Sequence, residues 1–176
     1  MVRRVASRLR DVHALPPIDG RFDPFATIRR WSEVLDRRTS SQPGRLAELL
    51  DLVAHAERVR PPLSASDLVL CHNDPYYLNF LDDGALWLID WEYAGMGDPM
   101  YDLAGIGHTL DPRGREVLLE AYYGAATPEL QRSLDTLIPV VVCWNVMWSL
   151  IQMEGGVPGF DYLQMANDYL DTIIDP

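Results

Sequence analysis

Two short stretches concentrate the residues that could do chemistry. His72-Asn73-Asp74-Pro75-Tyr76-Tyr77-Leu78-Asn79 is followed, after a brief apolar interlude, by Leu88-Ile89-Asp90-Trp91-Glu92. A carboxylate held beside a hydroxyl can orient it and take its proton. A carboxamide oxygen and a second carboxylate are hard oxygen donors of the kind Mg²⁺ selects. A loop carrying Asp74 and Asn79 can supply the base at one end and a metal ligand at the other. A chain that turns back to Asp90 can set a second ligand beside Asn79. A base with paired oxygen ligands is the equipment that phosphoryl transfer to a hydroxyl requires. His-x-Asp by itself is a weak signal, because a lone buried His72 more often serves structure than chemistry. The joint spacing carries the reading.

Positioning those groups calls for a hairpin. Residues 78–81 and 85–89 are short apolar segments around Asp82-Asp83-Gly84, the pattern of two strands joined by a tight turn. Asp82 and Asp83 then read as turn residues. A further apolar run, residues 68–70, leads into Cys71-His72. The rest is helical in pattern. Val5, Leu9 and Val12 predict a helix over residues 5–14, closed by Pro16-Pro17. Asp23-Pro24 is a cap with proline at the first helical position, opening a helix to about Arg37. Residues 40–44 read as a polar loop and 46–59 as an amphipathic helix, with Pro61-Pro62 closing this helical opening. Asp98 reads as a helix cap. Beyond Asp102, helices are expected over about 112–123, 128–153 and 162–174, the second broken or kinked at Pro139. The expected fold class is α+β and mainly α, a helical lobe around one small β-hairpin with carboxylates at both ends.

Composition bounds this picture. A chain of 176 residues suits a single domain, residues 1–176, with a sizeable core. Residues 1–60 hold 12 Arg against 8 acids, and residues 61–176 hold 3 Arg against 18 acids. The acidic second part repels nucleic acid and favours cations, whether metal ions or a cationic substrate. A solvated acidic surface explains the charge equally well. Every basic residue is Arg; the chain has no Lys. Cys71 and Cys143 form neither a metal-binding spacing nor a disulfide framework, which suits a reduced, cytoplasmic compartment. The start, Met1-Val2-Arg3-Arg4, leads into mixed polar sequence rather than an apolar signal core. Residues 137–153 are the most apolar stretch, yet they contain Pro139, Asn145 and Gln152 and read as a buried helix rather than a membrane span.

Taken together, His72-x-Asp74 with Asn79 five residues on, the hairpin, and Ile89-Asp90-Trp91-Glu92-Tyr93 resemble the catalytic and metal-binding loops of the protein-kinase-like fold. The His-Asn-Asp form and the Ile-Asp-Trp-Glu-Tyr string resemble the aminoglycoside phosphotransferase and choline/ethanolamine kinase branch. The segment Gly97-Asp98-Pro99-Met100-Tyr101-Asp102-Leu103-Ala104 resembles the Gly-Asp-Pro-x-x-Asp-Leu-Ala stretch of the same superfamily. The resemblance implies that Asp74 is the catalytic base and that Asn79 and Asp90 hold Mg²⁺, with ATP as phosphoryl donor. It implies that His72 braces the loop, that Asp102 holds it, and that Glu92 contributes to the metal or substrate site.

A second constellation is aromatic. Trp144 and Trp148 are four apart and share a helix face, with Tyr122, Tyr123, Phe160, Tyr162 and Tyr169 in flanking segments. The plain account is a core stripe. However, Trp148-Ser149-Leu150-Ile151-Gln152 followed by Phe160-Asp161-Tyr162 resembles the aromatic helices with which choline kinases box a trimethylammonium head. The resemblance implies a small cationic hydroxyl substrate, such as choline or ethanolamine, against Trp144, Trp148 and Tyr162. Two positions depart from the pattern: Asp111 stands where a substrate-binding Glu is expected, and Met165 where an aromatic is. An aminoglycoside or sugar phosphotransferase of the same superfamily is the alternative.

The resemblance runs from about residue 5 to 174 and covers only the C-terminal lobe of that fold. The other lobe, on the order of 100 residues, supplies a phosphate-covering loop, a strand Lys and its Glu partner. The expectation is a catalytic lobe with the N-terminal lobe absent: a fragment, a remnant that only binds a cationic ligand, or a chain that borrows the lobe. Apolar surface along the uncovered cleft would then favour self-association.

Overall fold

The computed structural model describes residues 1–35, 40–60, 63–153 and 155–174. The described chain is rich in helix, with four short strands in two small sheets. By its contacts the chain divides into two compact units: Met1–Phe22 with Pro62–Ile138, and Asp23–Pro61 with Pro139–Pro176.

The first unit is built around α1, Val2–His13. Its buried positions, Val5, Leu9, Val12 and His13, recur at helical spacing and present one continuous face. That face packs on α5 (Pro112–Tyr123), on α4 (Pro99–Gly107) and on strands β1 (Val69–Cys71) and β3 (Leu86–Leu88). Leu9, Leu103, Leu118 and Leu119 are fully buried at the centre. Truncating one of them to Ala would cost about 2–5 kcal/mol.

The expected hairpin is present but shorter than its apolar segments. β2 (Phe80–Asp82) pairs antiparallel with β3, with Phe80 opposite Leu88 and Asp82 opposite Leu86. Residues 77–79 form a single 3₁₀ turn instead of strand. Asp82 and Asp83 close the turn as expected, accepting from Gly84 N at 3.1 Å and Ala85 N at 3.2 Å. Asp82 also takes the Arg4 guanidinium at 2.5 and 3.0 Å, tying α1 to the turn. The single-hairpin expectation is corrected by a second sheet: β1 pairs antiparallel with β4 (Gly95–Gly97). Two glycines around one methionine carry almost no strand signal.

α4 opens with Asp98, whose carboxylate accepts from Met100 N at 2.9 Å, so the expected cap is present. Asp111 caps α5 in the same manner, accepting from Gly114 N at 2.6 Å.

The second unit contains α2 (Pro24–Val34), α3 (Pro43–Val59) and α7 (Tyr162–Ile174). Asp23 caps α2 through Ala26 N at 3.0 Å, with Pro24 at the first helical position. α2 ends at Val34, with Leu35 already extended, short of the expected end near Arg37; Arg37 itself and Pro61-Pro62 fall outside the described residues. α3 packs on α7, and Ser41 and Gln42 both donate to Asn167 Oδ1, at 2.8 and 3.1 Å.

α6, Pro128–Gln152, contributes residues 128–138 to the first unit and 139–152 to the second. Of the expected break or kink at Pro139, the break does not occur, and the helix runs through it. Among the described residues α6 is the one helix long and apolar enough to cross a membrane, and 67% of its most apolar window is buried within the protein. That burial is what a core helix shows. Cys71 and Cys143 are free and buried, and burial pushes the Cys143 thiol up to about 12.

Candidate active site

The catalytic-loop candidates follow directly from β1. Strand β1 ends at Cys71, and the next two backbone N–H groups are turned inward onto one carboxylate. Asp102, on α4 and fully buried, accepts from His72 N at 2.8 Å through Oδ2 and from Asn73 N at 2.7 Å through Oδ1. A buried carboxylate is tolerated only when its lone pairs are filled, and these two donors do so while pinning the loop to α4.

His72 is fully buried. Its Nε2 lies 2.9 Å from the Ile89 carbonyl, and Nδ1 accepts from Asp74 N at 3.3 Å. That pair of partners selects the tautomer with the proton on Nε2. The ring also meets Trp91 edge-on at 4.8 Å. His72 therefore connects the segment before Asp74 to the segment before Asp90.

Asn79 connects the same two segments from the other side. Its amide nitrogen donates to the Asp74 carbonyl at 3.0 Å, with the Asp74 carboxylate at 3.5 Å. Ile89 N donates to the Asn79 carbonyl at 2.9 Å, which extends the β2–β3 ladder and places Asp90 next along the chain. With the amide nitrogen of Asn79 engaged by Asp74, its Oδ1 is the atom left to offer a cation. Asp90 is exposed and adopts φ 66°. Asn73 also adopts φ 66°, and its Nδ2 donates to the Tyr93 carbonyl at 2.9 Å. Left-handed backbone at two non-glycine residues is uncommon, and both sit where the chain must turn sharply beside the carboxylates.

Asp74 itself is partly buried. Burial pushes its pKa above the ordinary carboxylate range, opposed by His72; the charges of Asp90 and Glu92 raise it further, and the Asn79 amide lowers it. Three acids thus converge closely enough to feel one another, which is what a bound cation would relieve. Hard oxygen donors from Asn79 and Asp90 suit Mg²⁺. Glu92 is exposed on the same segment.

Close approach of α4 to the loop depends on a missing side chain. A Cβ at Gly105 would lie 2.8 Å from Pro75 Cγ and 3.0 Å from Cδ. Pro75 follows Asp74, so with any residue larger than glycine there either the loop or α4 must shift.

Among the described residues, His13, Cys71 and Asp102 bring three potential metal-binding atoms within 4.8 Å of one another. Their hydrogen bonds give a different account. Asp102 Oδ2 lies 3.0 Å from His13 Nε2 and each carboxylate oxygen also holds a backbone N–H, so the group is a satisfied network. His13 was not legible as a site residue, and Tyr122 only as one of the flanking aromatics, because nothing in a helix-final His marks it for contacts 89 and 109 residues away.

The aromatic candidates lie in the second unit. Trp144 is 5% exposed and packs on Trp31 with ring centroids 4.5 Å apart. A ring so buried has little face left for a ligand from solvent, so at Trp144 the core-stripe account prevails over the box. Trp148 meets Tyr162 edge-on at 6.0 Å, and Tyr162 meets Phe160 at 4.7 Å. Tyr162 lines a recess of about 290 Å³ together with Gln152, Val157, Phe160 and Asp161. Gly156 makes room for its ring, since a Cβ there would fall 2.4 Å from it. Asp111 serves as the cap of α5, and Met165 lies in α7.

Comparison with known proteins gives a consistent picture. Protein LicA of Haemophilus influenzae (strain ATCC 51907 / DSM 11121 / KW20 / Rd) is 38% identical over 156 residues, spanning 80% of this chain and 56% of that protein. The chain spans about half the length of the curated relatives it matches. The crystal structure of a choline/ethanolamine kinase family protein from Mesorhizobium loti superposes with a TM-score of 0.79 at 26% identity, over 96% of this chain and 59% of that one. Choline kinase LicA from Streptococcus pneumoniae shares the fold, with a TM-score of 0.71 at 22% identity over 97% of this chain and 63% of its own. The phosphotransferase enzyme family matches residues 1–134, which contain Asp74, Asn79 and Asp90. By that match, and in keeping with the motifs around His72 and Asp90, the chain belongs to the phosphotransferase enzyme family.

Proposed function

We propose that this chain is the catalytic part of a kinase that transfers the γ-phosphoryl group of ATP to the hydroxyl of a small amino alcohol, choline or ethanolamine being the leading candidates. The observation that carries the reading is the gathering of Asp74, Asn79 and Asp90 around one hairpin, with Asp74 raised by burial and by its acidic neighbours. Asp74 orients the hydroxyl and accepts its proton as the new P–O bond forms. Asn79 Oδ1 and the Asp90 carboxylate would hold Mg²⁺, with Glu92 adding negative charge nearby. When bound, the ion would neutralise charge on the transferring phosphate. His72 and Asp102 keep the loop in place. The recess beside Tyr162, with Phe160 and Asp161 on its wall and Trp148 behind the tyrosine, supports a cationic head group. The single-lobe reading of residues 1–176 and a cytoplasmic setting, where ATP and Mg²⁺ are supplied, belong to the same proposal.

Self-association through an uncovered cleft belongs to the same proposal; exposed Tyr77, Leu78, Leu81 and Ile89 around the hairpin are apolar surface that would favour it. A strictly monomeric species in sedimentation at micromolar concentration would remove this part of the reading.

The test of function is ADP release by the purified chain with ATP, Mg²⁺ and choline or ethanolamine, against Asp74→Ala. Release that needs both the amino alcohol and Asp74 supports the kinase reading. Release with amino sugars and none with amino alcohols would turn it to an aminoglycoside phosphotransferase. No release above the Asp74→Ala background would leave the chain a binding remnant or a part that needs the remaining length of its relatives.

A further inference from the structure

The hairpin between Asn79 and Asp90 is small. β2 and β3 have three residues each, and a two-stranded hairpin is marginal unless another element packs on it. Leu86 and Leu88 are buried, and α1 packs against β3. Apolar contact of this kind is non-directional and does not by itself fix where the strand lies. The directional contacts come from two arginines four apart on α1, which share one side of the helix. Arg4 donates to the Asp82 carboxylate at 2.5 and 3.0 Å and to the Gly84 carbonyl at 3.3 Å. Arg8 donates through Nε to the Leu86 carbonyl at 2.8 Å.

The two contacts differ in weight. Arg4 and Asp82 are both exposed, and an exposed ion pair contributes little in water. Arg8 is half-buried, and a charged donor on a carbonyl makes a stronger bond than a neutral one. The register explains why that carbonyl faces Arg8. Ile89 N donates to the Asn79 carbonyl at one end of the hairpin, and Asp83 N to the Ala85 carbonyl at the other. Hydrogen-bonded pairs alternate along an antiparallel ladder, so the pair Asp82–Leu86 exchanges no ladder bonds. The Leu86 carbonyl therefore points away from β2, where Arg8 meets it.

We propose that Arg8 is a positioning residue of the phosphotransfer site. Its Nε–H fixes β3 against α1, and so preserves the Asn79–Ile89 bond that keeps Asn79 and Asp90 side by side. Arg4 steadies the turn and is secondary. The proposal rests on the kinase reading only for its effect on metal dependence; the hairpin bond itself can be read without turnover.

Two substitutions isolate the donor. Gln has the same number of bonds from Cα to its amide nitrogen as Arg has to Nε, so Arg8→Gln keeps an N–H at that place. Arg8→Met has the same reach and no donor. Native-state hydrogen exchange of the Ile89 amide, measured by NMR on the full chain against the amides of α5, is the first readout. Protection should stay within about threefold of wild type in Arg8→Gln and fall by about 10- to 100-fold in Arg8→Met, the range for a lost bond to a charged donor. Arg4→Met should stay within about threefold, as an exposed pair implies. In turnover, Arg8→Met should raise the Mg²⁺ concentration for half-maximal ADP release by about tenfold, the low end for groups that support metal ligands, and Arg8→Gln should restore it. Unchanged protection in Arg8→Met, equal loss in both Arg8 variants, or a loss shared by α5 would each overturn the proposal. So would a larger loss in Arg4→Met, or an unmoved Mg²⁺ midpoint in an active Arg8→Met. A wild type without phosphotransfer would count against the kinase reading, and the Ile89 exchange comparison would then decide alone whether Arg8 holds the Asn79–Ile89 bond.

Discussion

The backbone N–H of Ile89 donates to the carbonyl of Asn79 at 2.9 Å, one step beyond the paired strands β2 and β3. This bond converts a separation of ten residues into adjacency. Asp90, the next residue, leaves the ladder with φ 66° and so departs from the strand direction beside Asn79. The nearness of Asn79 and Asp90 along the two strands is thus a consequence of hairpin register, which a slip of one residue would change.

Replacing Asp74 by Asn should lower kcat for phosphotransfer by about 10²–10⁴-fold, the range for loss of a positioned base. ADP release under saturating substrates measures it. A loss confined to KM would mean that Asp74 binds substrate without taking its proton.

The pH dependence has a definite sign. Asp74 must be ionised to accept a proton, and burial first, then Asp90 and Glu92, hold its pKa above the usual carboxylate range. The acidic limb of kcat/KM should therefore lie above an ordinary Asp value. Glu92→Gln removes one of the raising charges and should move that limb towards lower pH. The same shift makes the folded state bind more protons than the unfolded one between the two pKa values. Asp74 therefore favours folding at pH below its unfolded pKa and loses that contribution as pH rises through its folded pKa. Asp74→Asn should accordingly gain thermal stability over the wild type at neutral pH and lose that advantage in acid, as scanning calorimetry at several pH values would show.

Gly105→Ala should destabilise the chain by about 1–3 kcal/mol, the usual range for overpacking, and lower kcat as well. The added methyl meets Pro75, the residue after Asp74, so the loop or α4 must move. Urea unfolding gives the first quantity and ADP release the second. A stable variant with full activity would show that the loop is free to shift.

Asp90→Asn should raise the Mg²⁺ concentration needed for half-maximal ADP release by about tenfold or more, since a hard cation loses an anionic oxygen. A Mg²⁺ titration at fixed ATP measures it. An unchanged midpoint would place the ion elsewhere.

Tyr162→Ala should raise KM for choline more than for ethanolamine, because a quaternary ammonium relies on aromatic faces where a primary one can use hydrogen bonds. About tenfold against choline is the expected scale for a desolvated cation–π contact. Equal effects on both substrates would assign Tyr162 to packing beneath Trp148 and Phe160.

Much of the local structure was legible because it rests on short-range rules. The caps at Asp23 and Asp98, the turn at Asp82-Asp83-Gly84 and the periodic faces of α1 and α5 depend on residues within a few positions of one another. The failures share a cause. Gly95-Met96-Gly97 became a strand because β1 offered it a ladder. α6 passed through Pro139 although local rules count a proline against continuity inside a helix. Trp144 turned into the core against Trp31, where the spacing alone could not tell a core stripe from a ligand box.

By itself the sequence determined which groups could do chemistry, their order along the chain, and the hairpin that separates Asn79 from Asp90, since residue type, turn propensity and alternation are local properties. Tertiary structure alone decided what stands behind them. Asp102 meets His72 and Asn73 across about thirty residues, and His13 meets Asp102 and Tyr122 across about ninety and more. Those contacts depend on packing α1, α4 and α5 against β1, where a buried carboxylate must find donors wherever the fold brings them.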